Sequence, residues 1–302
     1  MSNANKEAWP ELPWKEWEAT ANTLHMWTQI VGKTRLTLAP LQAHWWNVTL
    51  YVSPCGLTTS AMPVSGGNLE IEFDFLEHQL HFRMSDGRED RLALKPQSVA
   101  EFYRQYLVCL GRLGVSVHID PLPCEQKEPI RFPDDTVHAS YDSEYVERFW
   151  KILVRTTAIF QRFSSRFVGK VSPAHFFWGS FDLAVTRFSG RRAPERPGAD
   201  AIQREAYSHE VISAGFWPGN GGFGEAAFYA YAAPVPEGLD KVKVLPAIAS
   251  FNKDLGEFLM KYEEFRREAS PDDALLEFLE TTYAGAAELA KWDRAALERQ
   301  AL

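Results

Sequence analysis

Between residues 180 and 210 the chain carries, among other ionisable residues, five side chains of interest for acid, base or ion-pair chemistry: Ser180, Asp182, Arg187, His209 and Glu210. They sit among aromatic runs, AHFFWGSFDLAVTRFSGRR (174–192), YSHEVISAGFWPGNGGFG (207–224) and EAAFYAYAAP (225–234), a mixture suited to a pocket wall. His209 is the residue type that moves protons near neutrality, and Asp182 is its candidate orienting partner. Trp178, Trp217 and Tyr229 offer stacking surfaces, Ser180 a hydroxyl, and Arg187 a guanidinium for an anionic group. A metal alternative gathers His175, His209 and Glu210 or Asp182 as a two-histidine, one-carboxylate set.

These residues must lie on elements, and strand parity sorts them. If 176–188 is one regular strand, Trp178, Ser180, Asp182, Ala184 and Thr186 share a face, and His175 shares the other with Phe177. Only a bulge at Gly179 would bring His175 to Asp182. On the next strand His209, Val211, Ser213 and Trp217 share a face, and Glu210 points the opposite way. Adjacent letters are therefore not a catalytic triad or a ready metal pair. Gly219 to Gly224 fits the letters GxGxxG, but the segment that follows alternates and ends in proline. It reads as a loop between strands, not as a dinucleotide fingerprint. His78 and His81, flanked by Glu70, Glu72, Asp74 and Glu77, read as the wet side of a strand, and the tryptophans at 9, 14, 17, 27, 45 and 46 as packing.

The spacing of Trp14, Trp17, Leu24, Trp27 and Val31 predicts a helix over 14–31, closed at Gly32. Short alternating segments at 44–52, 69–75, 80–84 and 91–95 predict strands. Ser98 with Glu101 forms a capping box for a helix to Leu113, followed by a short strand at 115–119. Beyond a segment rich in proline and acid, Tyr145 to Phe167 predicts a second long helix. Strands follow at about 175–188, 207–217, 225–233 and 242–251, then a helix opened by Ser270-Pro271. Helix, strands, helix thus occurs twice. Val31-Gly32-Lys33 matches Val168-Gly169-Lys170, and His44 with its aromatic run matches His175 with its own. The expectation is an α+β protein of two similar halves, a divergent tandem repeat of antiparallel sheets packed with helices. Residues 1–120 form the N-terminal repeat, 121–141 a linker, and 142–302 the C-terminal repeat with the candidate site. Two mixed polar and aromatic faces would meet in a cleft.

A 302-residue chain with 45% hydrophobic and 24% charged residues is an ordinary globular composition. Its net charge of −8 argues against nucleic acid, and the arginines at 187, 191, 192, 196 and 204 read as a solvated loop. Cys55, Cys109 and Cys124 make no metal spacing and suit a reducing compartment. With no apolar leader and no run of eighteen apolar residues, the expectation is a cytoplasmic protein without a membrane partner.

HFFWGSFDLAVTRFSGRRAP and YSHEVISAGFWPG, with LHMWTQIVGKTRL and EAAFYAYAAP, resemble a mainly bacterial family, domain-of-unknown-function family 5996, over about residues 20–295. The resemblance brings a label and no mechanism, so cofactors stay unknown and the site rests on residue chemistry. The functional expectation is an enzyme acting on a small organic substrate in an aromatic-lined cleft. Its alternative is a ligand-binding or assembly protein using the same surface, and a further one is a non-haem metal enzyme.

Overall fold

A computed structural model describes residues 8–300. The first helix, α1 (Trp14–Leu38), runs past Gly32 for another turn and a half because this glycine does not cap it. The indole of Trp178, from the other half of the chain, lies against the helix there, and a Cβ on Gly32 would overlap the ring. The helix is buried almost all round, and its polar side chains are absorbed locally: Thr23, Thr28 and Thr34 donate to the carbonyls of Ala19, His25 and Ile30. Gly32→Val is expected to destabilise the protein by about 1–3 kcal/mol through this overlap, read as a lower urea midpoint. An unchanged midpoint would mean that Trp178 does not pack there.

The N-terminal sheet comprises β1 (Tyr51–Val52), β2 (Gly56–Thr58), β3 (Met62–Val64), β4 (Gly67–Asp74), β5 (Gln79–Met84) and β6 (Glu89–Ala93). All pairs are antiparallel in the order β1-β2-β4-β5-β6, with β3 also on β4. The strand expected over 44–52 is mostly a tight turn with His44 and Trp45 at positive φ. Leu69, Ile71, Phe73, Leu80 and Phe82 face the helices, whereas Glu70, Glu72, His81 and Arg83 face outward. Helix α2 (Val99–Arg112) is capped by Ser98, whose hydroxyl accepts the Glu101 N–H. The strand expected at 115–119 is irregular. Segment 121–141 is no free spacer: Phe132 and Asp135 are fully buried, and Phe132 packs on Tyr103 of α2.

The second half opens with α3 (Ser143–Ser165) and builds β7 (His175–Phe177), β8 (Asp182–Arg192), β9 (His209–Trp217), β10 (Ala227–Ala233), β11 (Ser250–Asn252) and β12 (Glu257–Lys261). Four further helices complete it: α4 (Ala201–Ala206), α5 (Tyr262–Phe265), α6 (Pro271–Leu289) and α7 (Arg294–Leu297). The sheet order is β11-β12-β10-β9-β8-β7. The protein is therefore α+β, with two six-stranded antiparallel sheets, each preceded by a long helix and followed by at least one more. One large hydrophobic core runs through both, and Phe188, Val211 and Ala233 form a small separate cluster. Leu50 and Phe176 exchange backbone hydrogen bonds of 2.9 Å, so the sheets join edge to edge. Tyr51 and His175 meet across that seam, which puts both outward faces on one side. Among the described residues no helix is long and apolar enough to cross a membrane.

Candidate functional site

The segment expected as one strand over 175–188 is a hairpin, turning at 178–181 with Phe181 at φ 61°. Phe181 accepts that conformation because its ring stacks on His25 and Phe149, and Gly179 O takes a hydrogen bond from His25 Nε2. The turn resets parity. Phe177 pairs with Asp182 and His175 with Ala184, so His175 and Asp182 share the outward face, whereas Trp178 and Ser180 belong to the turn.

Register then names the neighbours of Asp182. Leu183 pairs with Phe216, so Trp217 stands beside Asp182 on β9, and Gly215 pairs with both Ala184 and Tyr229. The Tyr229 ring lies flat across Gly215, where a Cβ would collide with it, and its hydroxyl donates to the Asp182 carboxylate. Tyr231 stacks on Tyr229, and its hydroxyl meets that of Tyr207 at 3.0 Å. The glycine loop after Trp217 folds back over the hairpin turn. Phe223 stacks on Trp217, Asn220 Nδ2 donates to Ser180 O, and glycines 219, 221, 222 and 224 all have positive φ.

Asp182 is 7% exposed. Burial pushes its carboxyl up to about 6, against the hydrogen bonds from Tyr229 and Ser180 and with help from Glu125. Burial, then Asp182, raises Glu257 to about 7, and burial raises Glu125, whose carboxylate lies against Gly179. Among the described residues none of these three carboxyls has a cationic partner. Two carboxyls that titrate near neutrality beside a phenol can exchange protons with a bound molecule. Sequence reasoning missed Glu125 and Glu257, since one sat in the supposed linker and the other on an unforeseen strand. It did name Asp182, Ser180, Trp217 and Tyr229, which the fold brings together.

Other expected members lie elsewhere. His209 and Trp217 are the two ends of β9, a strand of about 26 Å, so the pairing of His209 with Asp182 is corrected. His209 instead meets His44 edge to face at 5.5 Å and Ser208 Oγ at 3.0 Å. Glu210 points away from it and binds Arg191 at 2.6 Å. His175 reaches His209 only through the intervening rings of Trp46 and His44, so these three do not converge on a metal. Asp74, Glu77 and His81 do have ligand atoms within 4.8 Å of one another, but on the other sheet. Trp178 is a strut: its Nε1 donates to Val48 O at 2.6 Å while the ring covers Gly32. Arg187 lies on the helix side of the sheet, beneath Phe163 and Tyr283, with no access to Asp182. The site is a half-covered sheet face and not a cleft between the halves.

A family model described as a family of unknown function, DUF5996, matches residues 9–299, and the chain belongs to that family. Neither the curated proteins nor the solved structures give a match.

Proposed function

We propose that this family member handles a small organic molecule on the Asp182–Tyr229 face and acts on it as an enzyme by proton transfer. The observation that carries the reading is Asp182: buried, without a cation, raised to about 6 and held by Tyr229 against Gly215. A carboxyl so placed costs the fold stability, and such groups cluster where they are used in chemistry. Asp182 is the proton carrier, kept partly protonated by burial and by the neighbouring Glu125, and Trp217 with Phe223 supplies the stacking wall. His209, expected as the proton carrier, has no part in this reading. A net charge of −8 supports a role without nucleic acid, and the three free thiols, with no membrane-crossing helix among the described residues, support a cytoplasmic setting. The matching order of elements supports descent from a tandem duplication.

The second reading, a binding or assembly protein, is favoured by the half-exposed rings of Phe177 and Trp217 on an open face. A thermal-shift screen of small organic compounds at pH 6.5, with mass spectrometry of each mixture, separates the two. Stabilising compounds are expected, with the shift lost in Trp217→Ala, and at least one is expected to be converted. Stabilisation without conversion would select the binding reading. A screen in which no compound stabilises the wild type would sink both.

A further inference from the structure

His175 is 1% exposed, yet among the described residues its ring has no hydrogen-bond partner and its Nε2 is fully enclosed. Rings surround it edge-on: Trp46 at 5.4 Å, Tyr51 at 5.5 Å and Phe177 at 5.8 Å. Beside it is Arg35, 5% exposed, with its guanidinium 5.4 Å from the centre of the Tyr51 ring. Arg35 donates one N–H to Thr59 O and its charge is supported by the Tyr51 hydroxyl, but its Nε has no partner, and among the described residues no carboxylate pairs with it. Burial, then the Arg35 charge, lowers His175 to about 4, so the imidazole is neutral beside a permanent cation. Buried polar groups are nearly always satisfied, and a buried unpaired cation is costly. Arg35 Nε and His175 Nε2 are two such exceptions, and a single acceptor of negative charge, an anion, would satisfy both.

The position fits the face already described. His175 pairs with Ala184, and Asp182 is two residues along the same strand; such diagonal neighbours lie about 7–8 Å apart. Between them lie Ala184 and Gly215, the latter covered by the Tyr229 ring. We propose that the substrate of the Asp182 face carries a carboxylate or phosphate group, which docks on Arg35 and His175 at the seam of the two sheets. The negative end of the molecule is thereby held away from Asp182 and Glu257, and its reacting end meets Asp182. This substrate class rests on the proposed function, whereas the anion subsite can be tested without it.

The probes are inorganic phosphate and benzoate, titrated calorimetrically into the full chain at pH 6.5. Saturable one-site binding of at least one is expected, and the stronger probe identifies the group. His175→Phe fits the ring-lined niche and is expected to keep the thermal melt while weakening binding at least about tenfold. Asp182→Asn, which removes a nearby negative charge, is expected to bind the probe at least as tightly as the wild type does. Should Arg35→Met fail to fold, the nitrogen-15 resonance of His175 Nε2 in the wild type, shifting with phosphate, reports the same contact. No saturable binding up to roughly 50 mM, or undiminished binding in His175→Phe, overturns the subsite. Saturable probe binding by the wild type without conversion of any screened compound overturns only the enzymatic reading of the face.

Discussion

Replacing Arg187 by alanine is expected to cost about 3–5 kcal/mol of folding stability. Its side chain is 1% exposed, with the guanidinium carbon 3.4 Å from the centre of the Phe163 ring, 4.2 Å from that of Tyr283 and 5.0 Å from that of Phe167. It donates to Phe163 O, one of the last carbonyls of α3, and lies 3.7 Å from Glu280 of α6. Arg187 therefore ties the end of α3 and the middle of α6 to the back of the sheet, with its charge set against the negative end of α3. Burial draws its pKa down to about 10, with Glu280 opposing, so the group stays charged at neutral pH. Alanine would leave Glu280 without its buried partner, a carbonyl unpaired and a cavity among three rings. Methionine keeps the volume and is expected to cost markedly less. Urea denaturation at pH 7 measures both. A stable Arg187→Ala protein with impaired ligand binding would contradict the placement of this residue behind the sheet.

The repeated order of helix, sheet and helix was legible because apolar spacing carries it: Trp14, Trp17, Leu24 and Trp27 in α1, the alternation of β4 and β5, and the Ser98 cap of α2. What local pattern could not carry was the turn at 178–181. Its Phe181 occupies a backbone region that aromatic residues avoid, and stacking on His25 and Phe149, remote in sequence, holds it there. A strand drawn through that turn put Asp182 on a face with Trp178 and away from His175, and the fold reverses both assignments. Gly32 misled for the same reason, since it looks like a helix stop and is a contact for Trp178. Glu125 and Glu257 were invisible because their relation to Asp182 arises only when β12 and the 121–141 segment close around the second sheet.

Asp182→Asn is expected to act in opposite directions on turnover and on stability. Loss of the titrating carboxyl should reduce turnover by about 10²–10⁴-fold, whereas Asn keeps an acceptor for the Tyr229 hydroxyl and should fold. The sign of the stability change follows from linkage. The folded pKa of Asp182, about 6, lies above the ordinary 3.8, so its contribution is full below about 3.8 and is lost as pH rises through about 6. At pH 7.5 the ionised carboxylate costs the native state up to about 3 kcal/mol relative to a neutral side chain. The Asn protein should exceed the wild type by at most that amount there and converge with it towards pH 4. His25 and His175, each lowered to about 4, act in the opposite sense, with stability present above 6.5 and lost as pH falls through 4. Both chains contain them, so they drop out of the difference. Urea midpoints of the two proteins at pH 4.5, 6 and 7.5 give the profile. Parallel curves, or a less stable Asn protein at pH 7.5, would make Asp182 a structural acceptor for Tyr229. A gain in stability joined to a loss of turnover would mark a carboxyl retained for chemistry at the expense of the fold.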